Sequence, residues 1–180
     1  VLPQVLNLLE GFSLASMSHN SSAYLHLLVE ALKLVYADRE RYYGDPEFVD
    51  VPIDGLLSKA YAKERAQKID GEKAYPEMPP YGNPWGFSHQ QRSRQASRPT
   101  PRPMADDGPE SLDTSYLSIV DRFGNVFSAT PSDGSATSPV IPGLGFVASP
   151  RGSQSWADPG HASSVQPWKR PRLTPSPALV

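Results

Sequence analysis

The chain has 180 residues, a formal net charge of -2 at pH 7, and 17 basic against 19 acidic side chains. This balance excludes the broad positive surface of nucleic-acid binders and favours a small neutral or zwitterionic partner. The absence of cysteine excludes disulfides, thiolate zinc sites and cysteine nucleophiles. No apolar run approaches the roughly 18 to 20 residues of a membrane span, so we expect a soluble chain, whose compartment (cytoplasmic or exported) the sequence does not identify.

Three helices are predicted in residues 1–72. The first covers "PQVLNLLEG", with Pro3 in its first turn and Gly11 as its stop. Ser21 or Ser22 caps the second, "AYLHLLVEALKLVYADRERYY". Apolar residues at intervals of three and four predict its buried stripe, which a second row widens: Leu25, Leu28, Leu32 and Val35, then Leu27, Ala31 and Leu34.

The charged end of the second helix, from Asp38 to Arg41, has the pattern of a solvated surface. Asp54 is predicted to cap a third helix, "GLLSKAYAKERAQKI", with Gly71 as its stop. The residues predicted to face inward in this helix are Leu57, Tyr61, Ala62, Ala66 and Ile69.

Residues 73–113 differ in kind from the helical part. Eight of the 20 prolines of the chain fall there, among serine, arginine and glutamine with few large apolar residues. Such a composition is too polar to pack, and it predicts a flexible linker.

After the linker the period changes to two. "SYLSIVD" and "VFSAT" flank the turn "RFGN", which predicts a β-hairpin. Thr114 stands at its entry, where a β-branched residue is usually only a good strand former. The alternative is a nucleophile whose base is its own α-amine, which exists only after cleavage between Asp113 and Thr114. Spacing alone leaves both readings open.

The histidines and the glycine-rich segment show no pattern of a catalytic or metal-binding site. The four histidines show no metal-ligand spacing, so we expect no metal and no cofactor; His26, on a helix, is expected to be packed or paired. "IPGLGF" is expected to form a turn leading into a strand at "GFVAS". The start without methionine and the end within an apolar run indicate a fragment.

Three segments resemble consecutive parts of the γ-glutamyltransferase family: "VLNLLEGF", "EALKLVYADRERYYGDPEFVDVPIDGLLSKAYAKERAQKI" and "DTSYLSIVDRFGNVFSAT". The resemblance implies an α+β fold, as a fragment of the four-layer αββα architecture of N-terminal-nucleophile hydrolases. It implies that residues 1–72 end the large subunit, residues 73–113 precede the processing site, and residues 114–180 begin the small subunit, all within one domain of a larger protein. Thr114 matches the threonine before which the family precursor cuts itself.

Around the matched nucleophile the chain departs from the family in part. Members that handle glutathione generally begin the small subunit T-T-H, whereas this chain reads Thr114, Ser115, Tyr116. Thr130 matches a family threonine, and Ser132 stands where a second threonine usually hydrogen-bonds the nucleophile. Serine keeps that hydroxyl, so the resemblance implies a supporting role for Ser132 and, less directly, for Thr130.

The residues matched to the substrate clamps depart further. Where the family has an acidic residue for the donor's α-ammonium, "ASPRGSQSW" offers Gln154, with Arg151 nearby. Leu173 and Thr174 stand where paired serines receive the α-carboxylate, so one hydroxyl is lost. The resemblance thus implies a weakened amino-acid recognition site that includes Arg151, Gln154 and Thr174.

The pattern is closest to the branch of the family related to cephalosporin acylases and acyltransferases. We therefore expect a self-processing acylase or acyltransferase that cleaves a side-chain amide through an acyl-threonine, with transfer to water or an amine. Its expected partners are a γ-glutamyl or other acyl amide and its own subunits, which stay associated after cleavage. The alternatives are a genuine glutathione γ-glutamyltransferase and a noncatalytic relative. The family's oxyanion glycines and substrate arginine are expected outside the chain, so the fragment alone is expected to be inactive.

Overall fold

The computed structural model describes residues 1–90, 116–130, 139–147 and 155–172. These residues belong to two compact units. The helical unit comprises residues 1–90 together with Gly160–Ala162, and the hairpin unit comprises the other described residues. Helices in one unit and a two-stranded antiparallel sheet in the other are compatible with the expected α+β class.

The helical unit contains α1 (Leu2–Leu9), α2 (Ser22–Tyr42), α3 (Ile53–Leu56) and α4 (Lys59–Ala66), with short 3-10 helices at Leu14–Ser16 and Pro84–Phe87. The first two predicted helices are confirmed. Ser21 caps α2, because its hydroxyl accepts a hydrogen bond from the Tyr24 N–H at 3.3 Å. Across the described ranges, no helix is both long and apolar enough to cross a membrane.

The third predicted helix is two helices. Ser58 interrupts it, because its hydroxyl accepts a hydrogen bond from the Tyr61 N–H at 3.4 Å and caps a new helix, α4. Pro52, not Asp54, is the cap residue of α3, and α4 ends at Ala66, before Gly71. The single-helix prediction was therefore wrong at an internal serine that could serve as a cap.

The core of the helical unit lies between α1 and α2. Its buried members are Val5, Leu8, Leu9, Leu27, Ala31, Leu34 and Val35. The core face of α2 thus consists of the second row of the predicted stripe together with Val35 of the first row. Leu25 and Leu32, predicted inward, are 46% and 40% exposed, because α1 packs against the neighbouring face of α2.

The first part of the predicted flexible linker, residues 73–90, packs onto the helices. The Tyr75 N–H donates to Glu30 Oε2 at 3.1 Å, and the Gly82 N–H donates to Asp38 Oδ1 at 2.8 Å. Pro84 is fully buried. The expectation that this segment is too polar to pack was wrong because its backbone N–H groups reach buried carboxylates on α2. Residues 91–113 lie outside the described residues.

Gly55 in α3 offers a test of this packing. A β-carbon at Gly55 would clash with the carbonyl oxygen of Pro84, whereas one at Gly86 would meet no atom within 4 Å. We expect Gly55→Ala to lower the free energy of unfolding by about 1–3 kcal/mol, as overpacking does. Gly86→Ala is the matched control and should change it by less than about 0.5 kcal/mol. Urea unfolding curves measure both, and equal midpoints for the two variants would contradict the packing of this segment.

The hairpin unit contains β1 (Leu117–Val120) and β2 (Val126–Ala129), which pair antiparallel as predicted. Gly124 has φ +82°, a left-handed conformation that glycine adopts without strain. The predicted turn at "IPGLGF" is also present, since the Ile141 N–H donates to the Phe146 carbonyl at 2.9 Å. Beside it, an isolated antiparallel bridge joins Val140 and Val147. The last two residues of the strand expected at "GFVAS" lie outside the described residues.

Candidate functional site

The hairpin has one hydroxyl-bearing face and one apolar face. Leu117 pairs with Ala129, and the register continues to Val120 with Val126. Because side chains alternate along a strand, opposite partners point to the same side of the sheet. The hydroxyl face carries Tyr116, Ser118, Ser128 and Thr130, with Val120 and Val126 at the turn end of the same face. The apolar face carries Leu117, Ile119, Phe127 and Ala129. The hydroxyl face is the candidate site, because the predicted catalytic side chains bear hydroxyls.

Thr130 is the one predicted site residue among those the structure describes. It directly follows β2, and its Oγ1 atom is buried without a hydrogen-bond partner within the described part of the chain. Leaving a buried hydroxyl unpaired costs about 1–3 kcal/mol. A partner from the rest of the protein or from a ligand would therefore be stabilising at this position.

The other predicted site residues lie outside the described residues, so the structure neither brings them together nor separates them. They are Asp113, Thr114, Ser132, Arg151, Gln154 and Thr174. Their roles remain predictions.

Tyr116 and Ser128 form a hydrogen-bonded pair on the hydroxyl face. Ser128 Oγ donates to the Tyr116 hydroxyl at 2.9 Å, and the Tyr116 side chain is 51% exposed. The two residues lie on different strands and are diagonal neighbours in the observed register. Sequence reasoning missed this pair, although the hairpin register, once predicted, brings positions 116 and 128 within reach of each other.

Asp121 organises the turn that sets this register. Its carboxylate accepts hydrogen bonds from the Asn125 side chain at 2.8 Å and from the backbone N–H groups of Phe123 and Asn125 at 2.8 and 2.9 Å. These donors, the Asn125 amide first, hold the pKa of Asp121 below its usual value. A turn tied in this way fixes which residues of β1 and β2 lie opposite each other.

A buried polar cluster in the helical unit centres on Asp38. Its carboxylate accepts hydrogen bonds from Gln4 Nε2, the Tyr61 hydroxyl and the Gly82 N–H, each at 2.8 Å, and one guanidinium nitrogen of Arg65 lies 3.4 Å from it. Asp38 is fully buried, so the predicted solvated helix end was wrong at this residue. Burial raises the pKa of Asp38, and Arg65 and the three donors only partly offset this.

Two histidines make contacts within the helical unit, and no three His, Asp or Glu side chains of the described ranges cluster as metal ligands. His26 Nε2 lies 2.7 Å from the Asp70 carbonyl oxygen, which confirms the prediction that this histidine is paired. His161 is buried, with Nε2 3.4 Å from Glu40 Oε1. Both histidines are thus accounted for by contacts within the helical unit.

Comparison with known proteins gives a consistent set of relatives. A family model described as Gamma-glutamyltranspeptidase matches residues 1–180. The glutathione hydrolase proenzyme of Bacillus subtilis (strain 168) is 34% identical over 182 residues, covering 99% of this chain and 30% of the relative. The acylase ACY 1 proenzyme of Pseudomonas sp. (strain SE83) is 35% identical over 183 residues, covering 99% and 28%. The chain therefore spans less than a third of the length of these relatives.

Among solved structures, the cephalosporin acylase from Bacillus halodurans matches with a TM-score of 0.65 and 26% identity. The match covers 93% of this chain and 25% of that one. The sequence and structure comparisons therefore each include a protein named as an acylase, and the sequence comparison also includes proteins named as glutathione hydrolases.

Proposed function

The chain belongs to the gamma-glutamyltranspeptidase family, and from that premise we propose that it is part of a self-processing N-terminal-nucleophile hydrolase or acyltransferase. Residues 1–72 would end its large subunit and residues 114–180 would begin its small subunit, within a four-layer αββα domain. The relatives are named proenzymes, which supports a precursor that is cut. The two subunits would stay associated after the cut between Asp113 and Thr114.

In the proposed mechanism Thr114 is the nucleophile. Its Oγ attacks the amide carbonyl of the substrate, and its own α-amine takes the hydroxyl proton and returns it to the leaving amine. An α-amine titrates near about 7.7–8.0, so a useful fraction is unprotonated at neutral pH. The acyl-threonine then passes its acyl group to water or to an amine acceptor, which restores the free hydroxyl.

The observation that carries this proposal is the hydroxyl face of the hairpin. In the observed register Leu117 lies opposite Ala129. Extending the pairing outward predicts Tyr116 opposite Thr130 and, two pairs further, Thr114 opposite Ser132. The predicted nucleophile and the predicted supporting hydroxyl would then face each other across two strands, with the buried hydroxyl of Thr130 on the same face.

The proposed substrate class is an acyl amide that need not carry an α-amino acid group. Gln154 would meet the donor's α-ammonium where glutathione-handling members have a carboxylate, and a neutral acceptor gives a weaker hydrogen bond to a cation than a carboxylate does. Thr174 would supply one hydroxyl to the α-carboxylate where two are usual. The relatives named as glutathione hydrolases keep γ-glutamyl transfer as the alternative.

A pair of matched donors tests this preference in the full-length, self-cleaved protein. Glutaryl anilide differs from γ-glutamyl anilide by lacking the α-ammonium, so the ratio of their kcat/KM values reports on that one contact. We expect a kcat/KM for the glutaryl donor equal to or above that for the γ-glutamyl donor. We also expect Gln154→Asp to favour the γ-glutamyl donor by about tenfold, since a charge-assisted hydrogen bond is worth about 1.5–3 kcal/mol.

The control is the glutaryl donor itself, whose kcat/KM should not rise in the Gln154→Asp variant. A wild-type enzyme that prefers the γ-glutamyl donor by about a hundredfold or more would instead establish a genuine γ-glutamyltransferase. Such a ratio corresponds to about 2.7 kcal/mol of discrimination, the range of a charged contact.

A further inference from the structure

We propose that the helical unit holds a binding site for a small aromatic carboxylate, a flat ligand with a single negative charge. The site is a cleft of about 660 Å³ between the C-terminal end of α2, the residues from α4 to Lys68, and the segment that continues to Trp85. This volume is typical of small-molecule sites in proteins. Every residue that lines the cleft belongs to the helical unit, so the inference does not depend on the proposed function.

Hydrogen bonds between three parts of the helical unit hold the cleft open. The guanidinium of Arg65, on α4, donates to the carbonyl oxygens of Leu34 and Pro80 at 3.1 Å each. The Tyr42 hydroxyl, on α2, donates to the Gly82 carbonyl oxygen at 2.8 Å. Because α2, α4 and the segment around residues 80–82 are tied together in this way, the cleft is formed before a ligand enters, and binding requires little ordering of the protein.

Aromatic rings and a guanidinium lie side by side in the lining. The rings of Tyr42 and Tyr81 pack edge to face, with centroids 5.9 Å apart. The guanidinium carbon of Arg41 lies 5.8 Å from the first centroid and 5.4 Å from the second. Tyr81 is still 44% exposed, and Tyr75 and Trp85 also line the cleft. Such a surface suits a flat conjugated ligand, because aromatic rings and guanidinium groups both stack on planar groups.

The charges of the lining favour an anion. It contains one carboxylate and three cationic side chains, namely Glu64 and Arg41, Arg65 and Lys68. Asp38 Oδ1, 3.4 Å from the Arg65 guanidinium, balances one of the cations, which leaves a surplus of one positive charge. The exposed Lys68 ammonium makes no ion pair within the described part of the chain. Arg41 carries five N–H donors, so it can bind a ligand and keep its present contacts. A surplus of one charge favours a carboxylate over a doubly charged phosphate.

The test measures dissociation constants by isothermal titration calorimetry on the full-length protein. The probe is 2-naphthoate, and two matched ligands each remove one of its features. The amide 2-naphthamide keeps the rings without the charge, and cyclohexanecarboxylate keeps the charge without a flat ring. We expect 2-naphthoate to bind at a single site with a Kd below about 1 mM. Each matched ligand should bind at least about fivefold more weakly, since ring contact and charge both contribute.

Variants of the lining locate the bound probe. Lys68→Met removes a positive charge and is expected to raise the Kd of 2-naphthoate about fivefold, the upper range for an exposed ion pair, without changing that of 2-naphthamide. Tyr81→Ala removes ring surface and should weaken both naphthyl ligands severalfold. Lys63→Met is the matched control, because Lys63 is an exposed lysine of α4 outside the cleft, and every Kd should stay at its wild-type value.

The same Kd of 2-naphthoate in Lys68→Met and Lys63→Met would place the probe elsewhere in the protein and overturn the inference. Undetectable binding to folded wild type, or equal binding of 2-naphthoate and 2-naphthamide, would also overturn it. If Tyr81→Ala fails to fold, the comparison of the two exposed lysines still decides. A wild type that binds 2-naphthoate as expected but neither cuts itself nor hydrolyses the anilide would overturn the proposed function alone.

Discussion

Replacing Thr114 with alanine in the full-length precursor is expected to leave one uncut chain with no measurable amide hydrolysis. The hydroxyl would be the nucleophile in both the self-cleavage and the turnover, and the α-amine base would exist only after the cut. A single substitution should therefore remove nucleophile and base together. The expected loss of kcat is at least about a thousandfold, as for the removal of other catalytic nucleophiles. Intact mass after incubation measures the first effect, and anilide hydrolysis measures the second.

Thr114→Ser is the matched control, because serine keeps the hydroxyl and the α-amine and loses only the methyl group. It should still give two chains divided after Asp113, at a lower rate than wild type. Thr114→Ala chains that are cut at this bond would refute the assignment. A folded wild-type precursor that stays uncut would favour the noncatalytic relative.

The parts of the fold that the sequence predicted well are those with strong local signals. Pro3 and Gly11 bound α1, a serine cap starts α2, and the change to a period of two marks the hairpin. Each signal acts within a few residues of its own position, so no knowledge of the packing was needed.

The parts that were missed depend on which elements meet. Both rows of apolar residues on α2 have helical spacing, and only the position of α1 decides that Ala31 is buried while Leu25 is half exposed. The same face continues through Leu34 to Asp38, so the burial of Asp38 could have been read from the stripe. The negative charge of Asp38 instead indicated a solvent-exposed side chain, because carboxylates are seldom buried without partners. Those partners come from α1, α4 and the segment after Gly71, which local patterns do not connect.

In the candidate site, too, some features follow from local sequence signals and others depend on the packing of side chains. The register of the hairpin, from Leu117 with Ala129 to Val120 with Val126, follows from its turn. The pairing of Tyr116 with Ser128 depends on side-chain directions that the alternation of residues does not specify. The family resemblance directed attention to Thr114 and Ser132, and the structure adds the hydrogen-bonded pair of Tyr116 and Ser128.

Asp38→Asn is expected to destabilise the helical unit by about 3 kcal/mol or more at neutral pH. The N–H group of the introduced amide would face other hydrogen-bond donors, those of Gln4, Tyr61 and Gly82. The substitution would also leave the buried charge of Arg65 without its counter-ion. Removing one partner of a buried ion pair typically costs about 3–5 kcal/mol. Urea unfolding of the full chain, followed by helical circular dichroism, measures the loss.

Glu64→Gln is the matched control for this substitution. Glu64 is an exposed carboxylate on α4 beside Arg65, and neutralising it should change the free energy of unfolding by less than about 0.5 kcal/mol. If Asp38→Asn proves as stable as Glu64→Gln, the cluster does not hold the helices and the 73–90 segment together.

The pH dependence of the Asp38→Asn variant gives a second and independent result. Burial raises the pKa of Asp38 above the value of about 3.9 expected in the unfolded chain. Between these two values the folded state binds more protons than the unfolded state, so the contribution of Asp38 to stability falls as pH rises through that window. The loss in free energy of unfolding of the variant relative to wild type should therefore be largest below about pH 3.9. It should shrink as the pH rises, until the pH exceeds the pKa of Asp38 in the folded state. The difference in free energy of unfolding between wild type and variant contains no contribution from carboxylates that both proteins retain. Asp54 and Asp121, whose pKa values are lowered in the folded state, are two of these. A deficit that is constant with pH would show that Asp38 titrates alike in the folded and unfolded chains.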